Sequence, residues 1–258
     1  MADILSAASI TENLGTRFIG QRVIYFRQLT STMAAARREA RRGAPEGTVI
    51  IAGEQTAGKG RLKRLWVSPR GNIALSVILR PEIPALPSLI MLASLAVVNS
   101  IEAVTGLKSA IKWPNDILIN TRKVCGILIE SDVRGTKVDH AIIGIGVNVN
   151  LELSDFPEIS PTATSLSDEL GKAVAQSAVI RRLLVELEEL YSTIQAGGSL
   201  YQEWRDNLAT LGKWVHVTEG GVVHQGTAES VARDGSLLLR QPDGGLIKIV
   251  AGDVTQPR

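Results

Sequence analysis

Residues 112–150 read KWPNDILINTRKVCGILIESDVRGTKVDHAIIGIGVNVN. The segment opens on a turn at Pro114 and Asn115, since Pro presets φ and Asn bonds its local backbone. Two β-rich runs follow, at residues 124–131 and 140–148, and we predict a strand for each. A shorter strand is expected at 117–119, before the second turn at 120–122. This stretch therefore predicts a run of strands separated by turns.

Strands and helices alternate on the N-terminal side of this segment. Residues 23–26, 48–52 and 72–79 are predicted strands, and a helix over 33–42 begins after Thr32, which can serve as its cap. Residues 83–101 carry no charge and have about the length of a bilayer helix. Prolines at its start and polar interruptions predict instead a helix buried in a globular core.

The C-terminal side changes character after Gly212. Helical periodicity covers residues 170–195, and Ser199 can cap a further helix through residue 208. Four short β-like segments separated by glycine-rich turns then predict a small β-barrel that packs on the first domain. We therefore expect an α/β (α+β) fold, a mixed sheet flanked by helices, with domains at residues 1–209 and 210–258.

The composition narrows the class of protein. The chain has 258 residues, of which 45% are hydrophobic and 21% charged, which excludes disordered, collagenous and disulfide-scaffold proteins. A net charge of +2 provides no global field for nucleic-acid binding. The single cysteine, Cys125, excludes an internal disulfide and a cysteine-based zinc site, and the N-terminus lacks a signal-peptide pattern. A cytoplasmic location is expected.

A cationic, glycine-rich segment lies between the strands predicted at 48–52 and 72–79. Residues 53–66 read GEQTAGKGRLKRLW. The front matches a P-loop, but Gly60 stands where Ser or Thr must hold magnesium, and Pro69 follows where a helix is required. We predict a long loop without regular structure. Three interpretations remain: an anion-binding loop, a solvated basic loop, or a nucleic-acid loop with Trp66 as a stacking surface.

The ordered motifs together resemble biotin protein ligases, which adenylate biotin and attach it to a lysine of a carrier domain. The motifs are STM at 31–33, GEQTAGKGRLKRLW at 53–66, KWPNDILIN at 112–120, RKVCGILIE at 122–130 and GIGVNVN at 144–150. The resemblance implies a class II synthetase-like catalytic domain followed by an SH3-like β-barrel. It implies formation of biotinyl-5'-AMP from biotin and ATP with Mg²⁺, then transfer to a biotin carboxyl carrier protein.

The resemblance also assigns residues. Catalytic roles fall on Arg61, Lys123 and Asp116, the last orienting or deprotonating the incoming lysine. The residues matched to biotin contacts are Ser31, Thr32, Gln55, Gly58, Lys59, Arg61, Lys123 and Gly126. Those matched to the nucleotide are Arg61, Arg64, Trp66, Lys112, Asn115 and Asn148. No protein ligand for a metal is expected.

Several of these residues also have ordinary structural interpretations. Ser31 or Thr32 can be a helix cap, and Asn148 can satisfy the end of a strand. Cys125 is expected to be a core residue without a chemical role. The loop departs from the family pattern at Lys59, which loses the bidentate fork of an arginine, and at Lys63, which replaces a glycine.

Partners and dynamics are expectations of the same kind. Only about twenty residues precede the first predicted strand, so the family's N-terminal DNA-binding domain is not expected, and neither is DNA or membrane binding. A homodimer is allowed. We expect residues 56–70 to be mobile without ligand and to fold over biotin. The alternatives are a lipoate-type acyl ligase or transferase on the same fold and, in another class, a nucleic-acid-binding module.

Overall fold

The computed structural model describes residues 5–255, apart from the side chain of Lys63. Residues 1–4 and 256–258, which the two predicted domains include, lie outside the described residues. The strands of the first part of the chain, in order, are Val23–Phe26 (β1), Val49–Ala52 (β2), Gln55–Lys59 (β3), Leu65–Ser68 (β4), Ile73–Leu79 (β5), Ala110–Lys112 (β6), Asp116–Ile119 (β7), Arg122–Arg134 (β8) and Lys137–Val147 (β9).

Seven of these strands form one mixed sheet in the order β1-β2-β5-β9-β8-β7-β6. β1 and β2 are parallel, and the other neighbours are antiparallel. β5 is buried along its whole length, which accounts for its sequence IALSVIL, apolar except for the buried Ser76. The predicted mixed sheet is therefore confirmed, and β8 and β9 lie at its centre beside β5.

Helices cover both faces of this sheet. They are Ala7–Thr11 (α1), Thr32–Arg41 (α2), Ser88–Thr105 (α3), Leu166–Leu170 (α4), Gln176–Gln195 (α5) and Tyr201–Asp206 (α6). α3 and α5 pack together on one face, and α2 packs on the other face over β5 and β9. α3 is long and apolar enough to cross a membrane by length and composition, but most of it is buried inside the fold. Its packing agrees with the predicted core helix.

The C-terminal part is a second, five-stranded antiparallel sheet. Its strands are Trp214–Glu219 (β10), Val222–Val231 (β11), Leu237–Arg240 (β12), Leu246–Ile249 (β13) and Asp253–Thr255 (β14). They pair in the order β13-β12-β11-β10-β14. The small β-domain is confirmed, although among residues 210–255 the strands form an open order rather than a closed barrel.

The buried Trp113 joins the two parts. Its indole N–H donates to the carbonyl of Gly235 at 2.8 Å, and its backbone N–H donates to the Thr210 hydroxyl at 2.9 Å. The side chain is 1% exposed and belongs to the same apolar core as strands of both sheets. The predicted packing of the β-domain on the first domain is therefore observed, and the turn of the KWPND motif provides part of the interface.

Three local predictions were wrong. Residues 53–71 are not a structureless loop, since β3 and β4 pair there as a separate two-stranded sheet. Ser31 rather than Thr32 occupies the N-cap of α2, and Leu200 rather than Ser199 occupies that of α6. The helix predicted from residue 170 begins at Gln176, because Gly171 ends α4 in the left-handed region at φ 65°.

Candidate active site

The floor of a pocket is formed by three glycines on neighbouring strands. Gly126 of β8 pairs with Gly146 of β9, and Gly144 lies two residues earlier on the same face. A Cβ on Gly146 would lie 2.4 Å from the indole nitrogen of Trp66, and one on Gly144 would lie 2.5 Å from the Met33 sulfur. Glycine is needed at these positions because the Trp66 ring and the Met33 side chain lie directly on the sheet.

The pocket lies where this face of the sheet is not covered by α2. Its walls come from the start of α2, the β3–β4 hairpin and the β6–β7 turn. Ala74 of β5 and Leu128 of β8, which lie on the same face as the glycines, contribute apolar side chains to the lining together with Met33 of α2. The result is a cleft with an apolar middle and polar groups at its ends, which is the usual form of a small-molecule site.

Hydroxyl and amide groups form one end of this pocket. Ser31 is 3% exposed, and its hydroxyl has no hydrogen-bond partner in the part of the chain that the structure describes, although the residue stands at the N-cap of α2. The adjacent Thr32 donates to Gln55 Oε1 through its backbone N–H at 2.8 Å and its hydroxyl at 3.1 Å. A buried polar group without a partner is costly, so the Ser31 hydroxyl is available for a polar ligand.

Cationic groups form the other end. Arg61 donates to Asn115 Oδ1 at 2.9 Å and to the Gly252 carbonyl at 3.2 Å. Lys123 pairs with Asp116, with 2.6 Å between Nζ and Oδ1. Asn115 also donates to the Ile127 carbonyl at 2.7 Å, which fixes its amide against β8. Two cations are thereby held beside the glycine floor by groups on rigid strands.

The charge on Arg61 is a permanent feature of the site. Burial lowers the pKa of its guanidinium, while the carboxylates of Asp253 and Asp116 raise it and the positive charge of Arg64 lowers it. An arginine stays protonated in proteins, so the desolvated charge must be met by anions. The pocket is therefore suited to a substrate carrying carboxylate or phosphate.

Trp66 of β4 lies over the glycine floor. Among the described residues its indole nitrogen is buried without a hydrogen-bond partner, and Lys123 Nζ lies 5.4 Å from the ring centroid. The ring packs against Gly146 of the sheet, and the residue is half-buried. Less of the ring is therefore open for stacking than the nucleic-acid interpretation required.

Most of the residues matched by resemblance meet in this pocket. Its lining includes Ser31, Thr32, Gln55, Lys59, Arg61, Arg64, Trp66, Asn115, Asp116, Lys123 and Gly126. Cys125, the neighbour of Gly126, is fully buried beneath the floor, and burial raises the pKa of its thiol. Its thiol is not positioned as a nucleophile.

Three of the matched residues lie outside the lining. Gly58 belongs to the hairpin itself, where a Cβ would lie 2.4 Å from the Trp66 carbonyl oxygen. Lys112 is the register partner of Asp116 in the antiparallel pairing of β6 with β7. Asn148 is buried, and its amide donates to the Thr164 carbonyl at 3.0 Å, as its interpretation as a strand-end residue predicts.

The lining also contains residues that the sequence analysis did not single out. Gly144 and Gly146 stand at alternate positions of a strand pattern, a signal of close approach that the sequence does carry. Asp253 comes from the C-terminal sheet and contacts the hairpin, with an ion pair to Arg64. No local pattern marks that residue, because its partner lies 189 positions away in the chain.

The hairpin has one unusual backbone position. Leu62, between β3 and β4, has a φ of 52° and a side chain 68% exposed. The left-handed conformation thus falls on Leu62, the residue before Lys63. A branched residue at positive φ is uncommon and marks a shape imposed by the surroundings.

The fold and this site define a ligase that brings an acid and a nucleotide together, and sequence comparison defines the family. Residues 24–148 match the biotin/lipoate A/B protein ligase family, and residues 210–255 match the biotin protein ligase C-terminal domain. The chain belongs to this family of biotin protein ligases. Its catalytic part and its β-domain both have a counterpart there.

Relatives from several organisms support the assignment. The bifunctional ligase/repressor BirA of Bacillus spizizenii is 40% identical over 256 residues, covering 97% of this chain and 78% of that protein. A biotin–acetyl-CoA-carboxylase ligase of Paracoccus denitrificans is 35% identical, covering 76% of this chain and 85% of that protein. The similarity therefore extends over both parts of the chain.

Solved structures agree. Biotin protein ligase from Aquifex aeolicus in complex with biotin and ATP matches with a TM-score of 0.76 at 26% identity, covering 91% of this chain and 98% of that one. The Leishmania major enzyme in complex with biotinyl-5-AMP matches with a TM-score of 0.60 at 25% identity, covering 90% and 99%. The mixed sheet with a C-terminal β-domain is thus the fold of this family.

Proposed function

We propose that this chain is an ATP-dependent biotin protein ligase that forms biotinyl-5'-AMP and then transfers biotin to a lysine of an acceptor protein. One observation carries the proposal: a single pocket with an unsatisfied polar group at one end and half-buried cations at the other. Among the described residues the Ser31 hydroxyl has no partner, and Arg61 and Lys123 lie across the glycine floor. A molecule with a polar ring, an apolar middle and a carboxylate fits this order of groups.

The first half-reaction needs no nucleophile from the protein. The biotin carboxylate attacks the α-phosphate of ATP, the bond from that phosphorus to the bridging oxygen breaks, and pyrophosphate leaves. Two anions must approach each other, and the chain supplies positive charge and positioning through Arg61 and Lys123. Asn115, in the β6–β7 turn, holds Arg61 in place through its Oδ1, which accepts from the guanidinium at 2.9 Å.

The second half-reaction involves Asp116. A free lysine amine is mostly protonated at neutral pH, so a carboxylate that orients it or accepts its proton favours attack on the mixed anhydride. Asp116 lies at the end of the β6–β7 turn and lines the pocket. In the absence of substrate its carboxylate is occupied by Lys123 at 2.6 Å. We propose that the adenylate engages Lys123 and leaves Asp116 to the incoming amine.

The remaining proposals concern magnesium, the acceptor and the location. The two carboxylates lining the pocket, Asp116 and Asp253, are each paired with a cation, which favours magnesium arriving with the triphosphate rather than on protein ligands. The acceptor we propose is a biotin carboxyl carrier protein domain, and the location is the cytoplasm. Homodimer formation and the expected absence of DNA binding stay predictions.

The decisive experiment is incubation of the chain with biotin, Mg-ATP and a carrier domain, followed by mass measurement of the carrier. We expect biotin on one lysine of the carrier, dependent on ATP. Calorimetry with biotin and with lipoate separates the two acids, because lipoate would leave the buried Ser31 hydroxyl without a partner. Preferential binding of lipoate would overturn the proposal in favour of the related acyl ligases.

The Asp116→Asn variant separates the half-reactions. We expect nearly normal biotin-dependent exchange of pyrophosphate into ATP but transfer to the carrier reduced by about 10- to 100-fold at neutral pH, the usual range for a lost general base. Raising the pH should restore part of the transfer rate, because more of the lysine is then unprotonated. Equal losses in both half-reactions would contradict the role proposed for Asp116.

A further inference from the structure

Two arginines of the hairpin contact consecutive residues of the C-terminal sheet. Arg61 donates to the carbonyl of Gly252 at 3.2 Å, and Arg64 forms an ion pair with the carboxylate of Asp253. The Asp253 side chain is 20% exposed and lines the pocket, whereas the Arg64 side chain is 68% exposed. The exposed arginine is thus tied to the more buried carboxylate, at the edge of the site.

The charges explain why a carboxylate is needed there. Burial lowers the pKa of the Arg61 guanidinium, the carboxylates of Asp253 and Asp116 raise it, and the positive charge of Arg64 lowers it by repulsion. Without the negative charge of Asp253, two guanidinium groups three residues apart on a narrow hairpin repel each other. The exposed arginine would then turn towards solvent, away from the pocket mouth.

We propose that Asp253 is a positioning residue that holds Arg64 beside Arg61 at the nucleotide end of the pocket, ready for the phosphates of a nucleoside triphosphate. This inference rests on the function proposed above. A guanidinium has five N–H donors, so Arg64 can keep Asp253 on one edge and present its other donors to phosphate. The C-terminal sheet therefore takes part in the site through a residue that itself does not touch the reacting atoms.

The geometry of the β3–β4 hairpin makes the contact with Asp253 important for the position of the hairpin tip. The β3–β4 sheet has only two strands, and two-stranded sheets are marginally stable alone. At its tip, Leu62 has a positive φ and Leu65 is 80% exposed, so apolar burial does not fix the tip. The polar contacts to Asn115, Gly252 and Asp253 are the ones that we identify as holding it over the floor.

The test is the Asp253→Asn variant, assayed by biotin-dependent exchange of pyrophosphate into ATP. We expect the KM for ATP to rise about two- to fivefold, the range expected for a partly exposed ion pair. The KM for biotin and the thermal midpoint should change little, and Asp253→Glu should restore the KM for ATP. Glu229→Gln is the matched control, since it removes an ion pair to Arg240 in the same sheet outside the pocket lining.

A double-mutant cycle shows whether Asp253 acts through Arg64. If it does, Asp253→Asn adds nothing to the KM for ATP in an Arg64→Gln background, because the group that it positions is gone. Hydrogen exchange of residues 59–66 should also become faster in Asp253→Asn than in the wild type. Additive effects in the cycle, or unchanged KM and exchange in the single variant, would overturn the inference. Absence of activity in the wild-type chain would instead reject the proposed function.

Discussion

The glycine floor and the cationic hairpin are built in opposite ways. The floor, Gly126, Gly144 and Gly146, belongs to central strands paired on both sides, and its shape is set by a buried core. The hairpin, residues 55–68, is a two-stranded sheet whose tip residues Leu62 and Leu65 are 68% and 80% exposed. The floor is rigid because of packing, and the hairpin is positioned by a few polar contacts.

This difference suggests a division of labour. A rigid floor with a buried polar end can select the acid, since a preformed site loses little entropy on binding. A less embedded cationic hairpin can close over the second substrate and supply charge to the reaction. Changes in the floor should therefore affect affinity for biotin most, and changes in the hairpin should affect adenylate formation and retention.

The largest effect is expected from Gly146→Val, which tests the floor. A Cβ there would lie 2.4 Å from the Trp66 indole nitrogen, so the side chain fills the space above the sheet. Overpacking typically costs 1–3 kcal/mol, and we expect biotin affinity measured by calorimetry to fall by about 100-fold or more. Valine suits a strand, so the fold should survive.

Gly60→Ala is the control for this prediction. Its φ is −105°, and a Cβ there would meet its nearest neighbour, the Arg64 carbonyl oxygen, at an ordinary 3.5 Å. We expect a far smaller change in biotin affinity. If Gly146→Val bound biotin as tightly as the wild type, the glycines would not form the floor of the biotin site.

The next effect tests the hairpin. Arg61→Ala should slow biotinyl-AMP formation by about 10- to 100-fold, because a charged donor aimed at developing negative charge is removed. The intermediate should also leak into solution, which chromatography of the reaction mixture detects. Arg70→Ala is the control, since Arg70 pairs with Glu54 at 3.5 Å and lies outside the pocket lining. Equal activity of the two variants would contradict the assigned role.

A smaller effect, with opposite signs on two properties, is expected for Ser31→Ala. The hydroxyl has no partner, so its removal should leave the free energy of unfolding unchanged or raise it by up to about 1 kcal/mol. Biotin affinity should fall about tenfold, because a hydrogen bond to the ligand is lost. Thermal unfolding and calorimetry measure the two properties.

Ser165→Ala is its matched control. Ser165 is also a buried N-cap serine, but its hydroxyl accepts from the Asp168 N–H at 3.2 Å and caps α4. This variant should lose about 1 kcal/mol of stability and keep its biotin affinity. The same pattern in both variants would mean that Ser31 is only a structural residue.

The smallest effect on activity is expected for Cys125→Ala, beneath the floor. Turnover should stay within about twofold of the wild type, because the thiol packs in the core opposite the pocket. Burial raises the thiol pKa in the folded state, so its contribution to stability is present below the unfolded pKa, about 8.5, and declines above it. Between pH 8 and 10 the Tm of the variant should fall less than that of the wild type. Parallel Tm curves would contradict this linkage.

Much of the scaffold was predictable because it depends on local patterns. The strands at 23–26 and 72–79 and the buried helix after residue 83 follow from apolar runs and their breakers, and the structure has β1, β5 and α3 there. The hairpin was missed because residues 53–71 show no alternation. β3 and β4 are stabilised by their pairing with each other and by the hydrogen bond from the Thr32 backbone N–H to Gln55.

In the active site, too, the sequence predicts which residues are present but not which contacts they make. The order of five motifs predicted roles for Arg61, Lys123 and Asp116, which the structure places in one pocket, but it did not predict that Lys123 and Asp116 pair with each other at 2.6 Å. Nor could it say that Asn148 would use its amide on the Thr164 carbonyl. These are choices among several nearby partners, and only three-dimensional packing decides between them.

By itself, the sequence determined the class of fold, the strand glycines and the chemistry of the groups available, because periodicity, backbone freedom and charge are properties of short segments. Only the tertiary structure decided that the Ser31 hydroxyl would be left without a partner and that Asp253 would reach Arg64. Both depend on segments far apart in the chain meeting at one place. No local pattern encodes the partner of a side chain when that partner is brought in by the packing of a second sheet.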